Sequence, residues 1–193
     1  MVKKFTSTLK EVIIFTEGLD YVVLENSKTD FIEITLFAEN SNKQQIDVKQ
    51  KNNEIQIAFQ LDEVQEKEII FRKFITKRLQ RANAIIKVLK RKKVTIIGAD
   101  VDIESKDFKN HLEIYIENGL VKLNRIKATT VVKLYSGNVY ATSNGSTIKV
   151  ISNLGSIKVD TVFYQKKYEK EEVLVTKEIL ITSVRANIFL STK

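Results

Sequence analysis

The chain has 193 residues and a net charge of +8, with 43% hydrophobic and 29% charged residues, so it can bury a sizeable core and is not wholly disordered. It holds no cysteine and one histidine, which excludes disulfides, thiolate metal sites, thiol catalysis and any multi-histidine metal centre. Lys10 and Glu11 break the early apolar stretch before it reaches the roughly 7 to 15 residues of a signal-peptide core. No apolar run approaches the roughly 20 residues of a membrane span, so a cytoplasmic protein without a transmembrane segment is expected.

Residues 11–60 read as strands. Val12 and Ile14, then residues 21–24, are separated by the turn signal Glu17-Gly18, and residues 31–37, 45–49 and 54–59 alternate apolar with polar at period two. Their connectors are rich in Asn, which tolerates the left-handed conformations of turns. An antiparallel β section with one wet face is expected, filling an N-terminal region of residues 1–83 together with its connecting segment. Residues 62–82 break the pattern. Asp62 with Gln65 suits a helix cap and Val64, Phe71, Phe74 and Ile75 fall roughly on one helical face, yet residues 69–71 serve equally well in a strand.

Basic charge is concentrated between Arg72 and Lys93. Ten Lys and Arg residues and no acidic ones lie there, so the rest of the chain nets about −2. Lys77, Arg78, Arg81, Lys90, Arg91, Lys92 and Lys93 are candidates for contact with phosphates or an anionic surface. The competing reading is a solvated turn beside a helix end whose dipole favours cations.

From Ala84 onward one unit recurs: alternating apolar residues, a glycine, then alternation again. Residues 94–103, 112–123, 132–141 and 148–159 each contain it, centred on Gly98, Gly119, Gly137 and Gly155, at spacings of 21, 18 and 18 residues. An irregular excursion at 161–178 precedes a fifth, degenerate unit at 179–190, in which Asn187 replaces the glycine.

One unit of about 18 residues buries four or five apolar side chains worth roughly 1.5–3 kcal/mol each, against an ordering cost of about 1–2 kcal/mol per residue. Alone it cannot stand; stacked, the units share one core. The expected fold is therefore all-β, the N-terminal section followed at 84–193 by a short β-solenoid of about five coils with the glycines at its corners. A rival is an antiparallel sandwich, because Asn118-Gly119 between two alternating runs is a strong hairpin signal.

With Ala84–Val88 as lead-in and the units at Gly98, Gly119, Gly137 and Gly155, the chain resembles the "putative adhesin" (head-GIN-like) class of bacterial domains of unknown function. That resemblance implies a β-helix-like array behind a β-rich N-terminal section, and it implies no catalytic residues.

Chemistry is sparse. His111 sits between repeats; Asp100 and Asp102 share one strand face and, with Glu104, could present oxygens to a hard cation, against the plainer reading of a solvated face. The six glycines form no phosphate-binding loop. No catalytic residue, metal ligand or cofactor is therefore assigned. The expected function is a non-enzymatic structural or interaction protein that docks a protein partner, or itself, through its faces or edge strands, with Tyr164, Tyr168 and Phe189 as candidate contacts. The alternative is nucleic-acid or anionic-surface binding through residues 72–93.

Overall fold

The computed structural model describes residues 1–38, 44–61, 82–173 and 175–192. Segment 62–82, read above as helix or strand, lies outside these residues except for Ala82, which opens a strand; Lys77, Arg78 and Arg81 lie outside them too.

The described residues form strands and no helix. The first seven are β1 (Val2–Phe5), β2 (Glu11–Phe15), β3 (Tyr21–Asn26), β4 (Ile32–Ala38), β5 (Gln44–Lys51), β6 (Glu54–Leu61) and β7 (Ala82–Val88). Then come β8 (Lys93–Asp100), β9 (Asp102–Lys106) and the two long strands β10 (Leu112–Asn124) and β11 (Thr130–Thr142). The chain closes with β12 (Thr147–Ser152), β13 (Ile157–Val159), β14 (Val162–Tyr164), β15 (Lys167–Lys170), β16 (Glu178–Ser183) and β17 (Asn187–Ser191). All belong to one hydrogen-bonded sheet that does not close on itself.

Two ladders run through this sheet. In the first, β6, β2, β8, the N-terminal half of β10, that of β11, β16 and β12 are neighbours in this order, every pair parallel. In the second, β7, β3, β9, the C-terminal halves of β10 and β11, β17 and β13 follow the same order, again all parallel. Strands β10 and β11 pass through both. Antiparallel strands finish each end: β5 on β6, and β4 on β7 with β1 beyond it, at one end; β15 on β12 and β14 on β13 at the other.

Spatial order departs from chain order twice. β8 and β9 return to the free side of β2 and β3 instead of extending from β6 and β7, and β16 and β17 occupy the place between β11 and the earlier-made β12 and β13. The final strands are thus an insert, flanked on both sides.

Period two decides which residues form the core. Ile14, Ile57, Ile96, Ile114, Val132, Ile181 and Val150 face inward from successive strands of the first ladder, and Val22, Ala84, Ile103, Val121, Val139, Ile188 and Ile157 from the second, all buried. Each large member is worth roughly 1.5–3 kcal/mol.

The rival hairpin reading fails and one expectation changes. Asn118-Gly119 makes no hairpin: β10 runs unbroken from Leu112 to Asn124 and pairs in parallel with β11, with Gly119 inside the strand at φ 154°. The N-terminal section is antiparallel only at β1, β4 and β5, whereas β2 and β3 join the parallel ladders on both sides.

Candidate interaction surfaces

Where the two ladders meet, backbone packs on backbone. Gly119 faces Gly137 across the β10–β11 ladder, with φ of 154° and 118°. A β-carbon at Gly119 would stand 2.0 Å from the Val101 carbonyl oxygen, one at Gly137 2.0 Å from that of Gly119, and one at Gly155 2.0 Å from that of Ala186. Gly98 is out of this column. It pairs with Ile116, and its missing side chain makes room for the Thr16 hydroxyl. The position aligned with Gly119 in its unit is Val101, and in the last unit Ala186 stands one residue before the predicted Asn187.

Beside this column the carboxylates are engaged by neighbouring strands. The Asn118 side-chain amide donates to Asp100 at 3.2 Å, and the Ser136 hydroxyl donates to Asn118 at 3.0 Å. The Leu120 backbone N–H donates to Asp102 at 2.8 Å, while Glu104 accepts from the Tyr21 hydroxyl and, at 3.0 Å, from Asn124. Burial and this Glu104 partner push the Tyr21 hydroxyl up to about 12. Asp100 and Asp102 share with Asp20, Asn83 and Asn118 a depression of about 400 Å³, which His111 does not line. Among the described residues no three His, Cys, Asp or Glu side chains converge as metal ligands would. His111 instead meets Glu113 at 3.1 Å, and Glu113 also holds Lys93 at 3.1 Å. Burial works against the Glu113 charge, yet its hydrogen bonds from Lys93 and His111 prevail and its carboxyl is lowered.

The basic turn between β7 and β8 is divided. Lys90 and Arg91 are exposed, Arg91 in the left-handed region at φ 64°. Lys92 is buried, and its ammonium donates to the carbonyls of Ser7, at 2.9 Å, and Leu9; burial lowers its pKa. Lys93 is committed to Glu113, whose hydrogen bond raises its pKa against desolvation. Two of the four described members of the basic cluster thus serve the fold.

At the β14–β15 end, Tyr164 and Tyr168 pack on the core edge-to-face with ring centroids 4.8 Å apart, covering its last layer. Phe189 stacks on Tyr140 with centroids 4.8 Å apart and planes 12° from parallel. Outside them Val162 and Phe163 are 51% and 67% exposed, and Lys158 lies over the Phe163 ring at 5.2 Å.

One surface escaped the sequence reading. Tyr115, Lys133 and Thr182 are in register on β10, β11 and β16, and with Glu117, Tyr135 and Asn153 they line a shallow trough of about 500 Å³. Lys133 sits over the Tyr115 ring at 5.6 Å, and Arg185 over the Tyr135 ring at 5.8 Å. Tyr115 and Lys133 are 18 residues apart, the same interval as Gly119 to Gly137, so the repeat period was the signal that pairs them.

No protein-family model and no curated protein matches the chain. Solved structures do. Over 100% of this chain and 99% of its own length, a "putative cell adhesion protein" from Clostridium sporogenes superposes with a TM-score of 0.66 at 13% identity. A "putative adhesin" from Parabacteroides merdae gives 0.36 at 14% identity over 100% and 78% of the two chains, and one from Bacteroides fragilis gives 0.32 at 8% over 99% and 96%. The likeness to the clostridial protein is one of fold; the other two superpose too loosely to add to it. This class is all-β. Among the described residues no helix is long and apolar enough to cross a membrane, and the expected cytoplasmic location gains no support, because a fold does not report a compartment.

Proposed function

We propose that the protein is a non-enzymatic, adhesin-like interaction protein, built as a short β-solenoid, that docks a protein partner, a second copy of itself included, through its exposed end strands. The solenoid reading rests on the two parallel ladders, which make seven bent units of the strand pairs and the long strands β10 and β11. The fold of the clostridial protein, named for cell adhesion, supports the interaction role. So does the engagement of Asp100, Asp102 and Glu104 by neighbouring strands, which leaves no acid and base facing one another there.

The contrast between the two ends carries the docking reading. A free sheet edge accepts a further strand unless charge or a cover prevents it. Edge strand β1 sets an exposed Val2 beside Lys3 and Lys4 and β5 carries Asp47, Lys49 and Lys51, whereas β14 offers Val162 and Phe163 to solvent with no charged residue in the strand. In residues 161–172 three lysines balance three glutamates, so this end of a +8 chain presents little net charge to a partner. Anion binding, the second reading, is left among the described residues with Lys90 and Arg91 as its exposed cations.

Light scattering over a concentration series, with wild type beside a Val162→Lys, Phe163→Glu double variant, tests this. Association in the wild type that the variant abolishes is the expected result. A wild type that stays monomeric, together with partner capture unchanged by the double variant, would overturn it.

A further inference from the structure

We infer that the trough across β10, β11 and β16 binds a linear glycan carrying carboxylate groups. This goes beyond the protein-docking reading and does not depend on it, since the trough and the β14 end are different surfaces.

Three observations carry the inference. The first is shape. The trough crosses strands in register, and strands in a sheet lie about 4.8 Å apart, so its long axis runs from strand to strand and suits an extended ligand more than a compact one.

The second is the state of the rings. Tyr115 is fixed by Lys133 over one face and by its hydroxyl donating to Glu113 at 3.2 Å; Tyr135, 51% exposed, is fixed by Arg185, whose backbone N–H also donates to the Tyr135 carbonyl at 2.8 Å. Both rings are held before any ligand arrives, which lowers the ordering cost of binding. A tyrosine ring presents an apolar body and a polar tip, which matches a sugar ring with its C–H faces and hydroxyls. Tyr140 and Phe189, by contrast, spend facing surfaces on each other.

The third is charge. Elsewhere on the chain cations meet carboxylates, as Lys149 and Lys167 meet Glu169 and Lys93 meets Glu113. Among the described residues Lys133 and Arg185 have only a tyrosine ring as side-chain partner. Lys133 in the trough and Arg185 beside it at the Tyr135 ring face one lining carboxylate, Glu117, since the adjoining Glu113 is engaged by Lys93 and His111; on a chain of net charge +8 this favours an acidic ligand, while Thr182, Asn153 and Glu117 supply partners for hydroxyls. Nucleic acid fits less well, since phosphate at every residue calls for more cations and no carboxylate.

Titration calorimetry with hexamers of galacturonate, hyaluronan and alginate, and with neutral cellohexaose and a twelve-residue oligothymidylate, tests the assignment at moderate salt. At least one acidic hexamer binds saturably, Tyr135→Ala weakens it tenfold or more, Lys133→Ala weakens it severalfold, and Lys122→Ala, which removes an exposed cation from the other ladder, leaves it unchanged. An unaltered circular dichroism spectrum and melting temperature for Tyr135→Ala show that the loss is local. Failure of all three acidic hexamers to bind, equal or tighter binding of cellohexaose or the oligothymidylate, or equal loss in Lys122→Ala would overturn the assignment.

Discussion

Gly137 lies directly opposite Gly119, so close that a β-carbon on it would stand 2.0 Å from the Gly119 carbonyl oxygen. The obstacle is backbone, which cannot swing aside, and the φ of 118° is one that side chains resist. Gly137→Ala is therefore expected to destabilise the protein by on the order of 2–3 kcal/mol or more, read as a lower urea midpoint.

Gly98 should behave differently, because the group in its way is the Thr16 hydroxyl at 1.9 Å, a side chain. Removing that hydroxyl should relieve the clash. In a double-mutant cycle, Gly98→Ala is expected to cost less in the Thr16→Ala background than in wild type, while Gly137→Ala costs the same in both.

Glu33 is held between Lys4 and Lys87, each at 2.7 Å, and their hydrogen bonds take its carboxyl from an ordinary value near 4.5 to about 2. A carboxyl whose folded pKa is depressed adds stability that is present above the unfolded value and lost as pH falls toward the folded one. Urea midpoints should therefore decline between about pH 4.5 and pH 2, and Glu33→Gln should flatten that decline.

Lys92 and its neighbours in the basic turn should part company. Lys92→Ala removes an ammonium that bonds the Ser7 and Leu9 carbonyls and is expected to destabilise by about 1–3 kcal/mol, with faster hydrogen exchange at residues 6–10. Lys90→Ala and Arg91→Ala, both exposed, should leave the melting temperature within error.

The alternation of residues such as Val12 and Ile14 was enough to predict strands, and the 18-residue spacing of Gly119 and Gly137 was enough to predict that they face each other. Both signals are local or periodic, and both follow from the pleat and the repeat. The run from Val94 to Ile103 contained a glycine at nearly the right spacing, yet Gly98 makes room for Thr16, just past the end of β2 and 82 residues earlier, a contact that no periodicity encodes. Strands β2, β3 and β6 read as an antiparallel section because alternation reports which face is wet and not which way the neighbouring strand runs. Likewise Lys92 looks like its neighbours in sequence; only the loop folded over it distinguishes it. Tyr164 and Tyr168 were read as candidate contacts with a partner; in the structure they pack on the core of their own chain.

The parallel stacking, with the final strands inserted between β11 and β12, is the claim on which the rest stands, and it can be tested by disulfide formation in a chain that has no cysteine of its own. Lys133 is in register with Thr182, and Thr182 in turn with Ile151, so Lys133 and Ile151 are two strands apart. A disulfide needs α-carbons roughly 4.4–6.8 Å apart, which one strand spacing satisfies and two do not. Under mild oxidation Lys133→Cys, Thr182→Cys should cross-link within one chain and Lys133→Cys, Ile151→Cys should not. The reverse result, a bond from position 133 to 151 and none to 182, would place β12 directly beside β11 and contradict the inserted order.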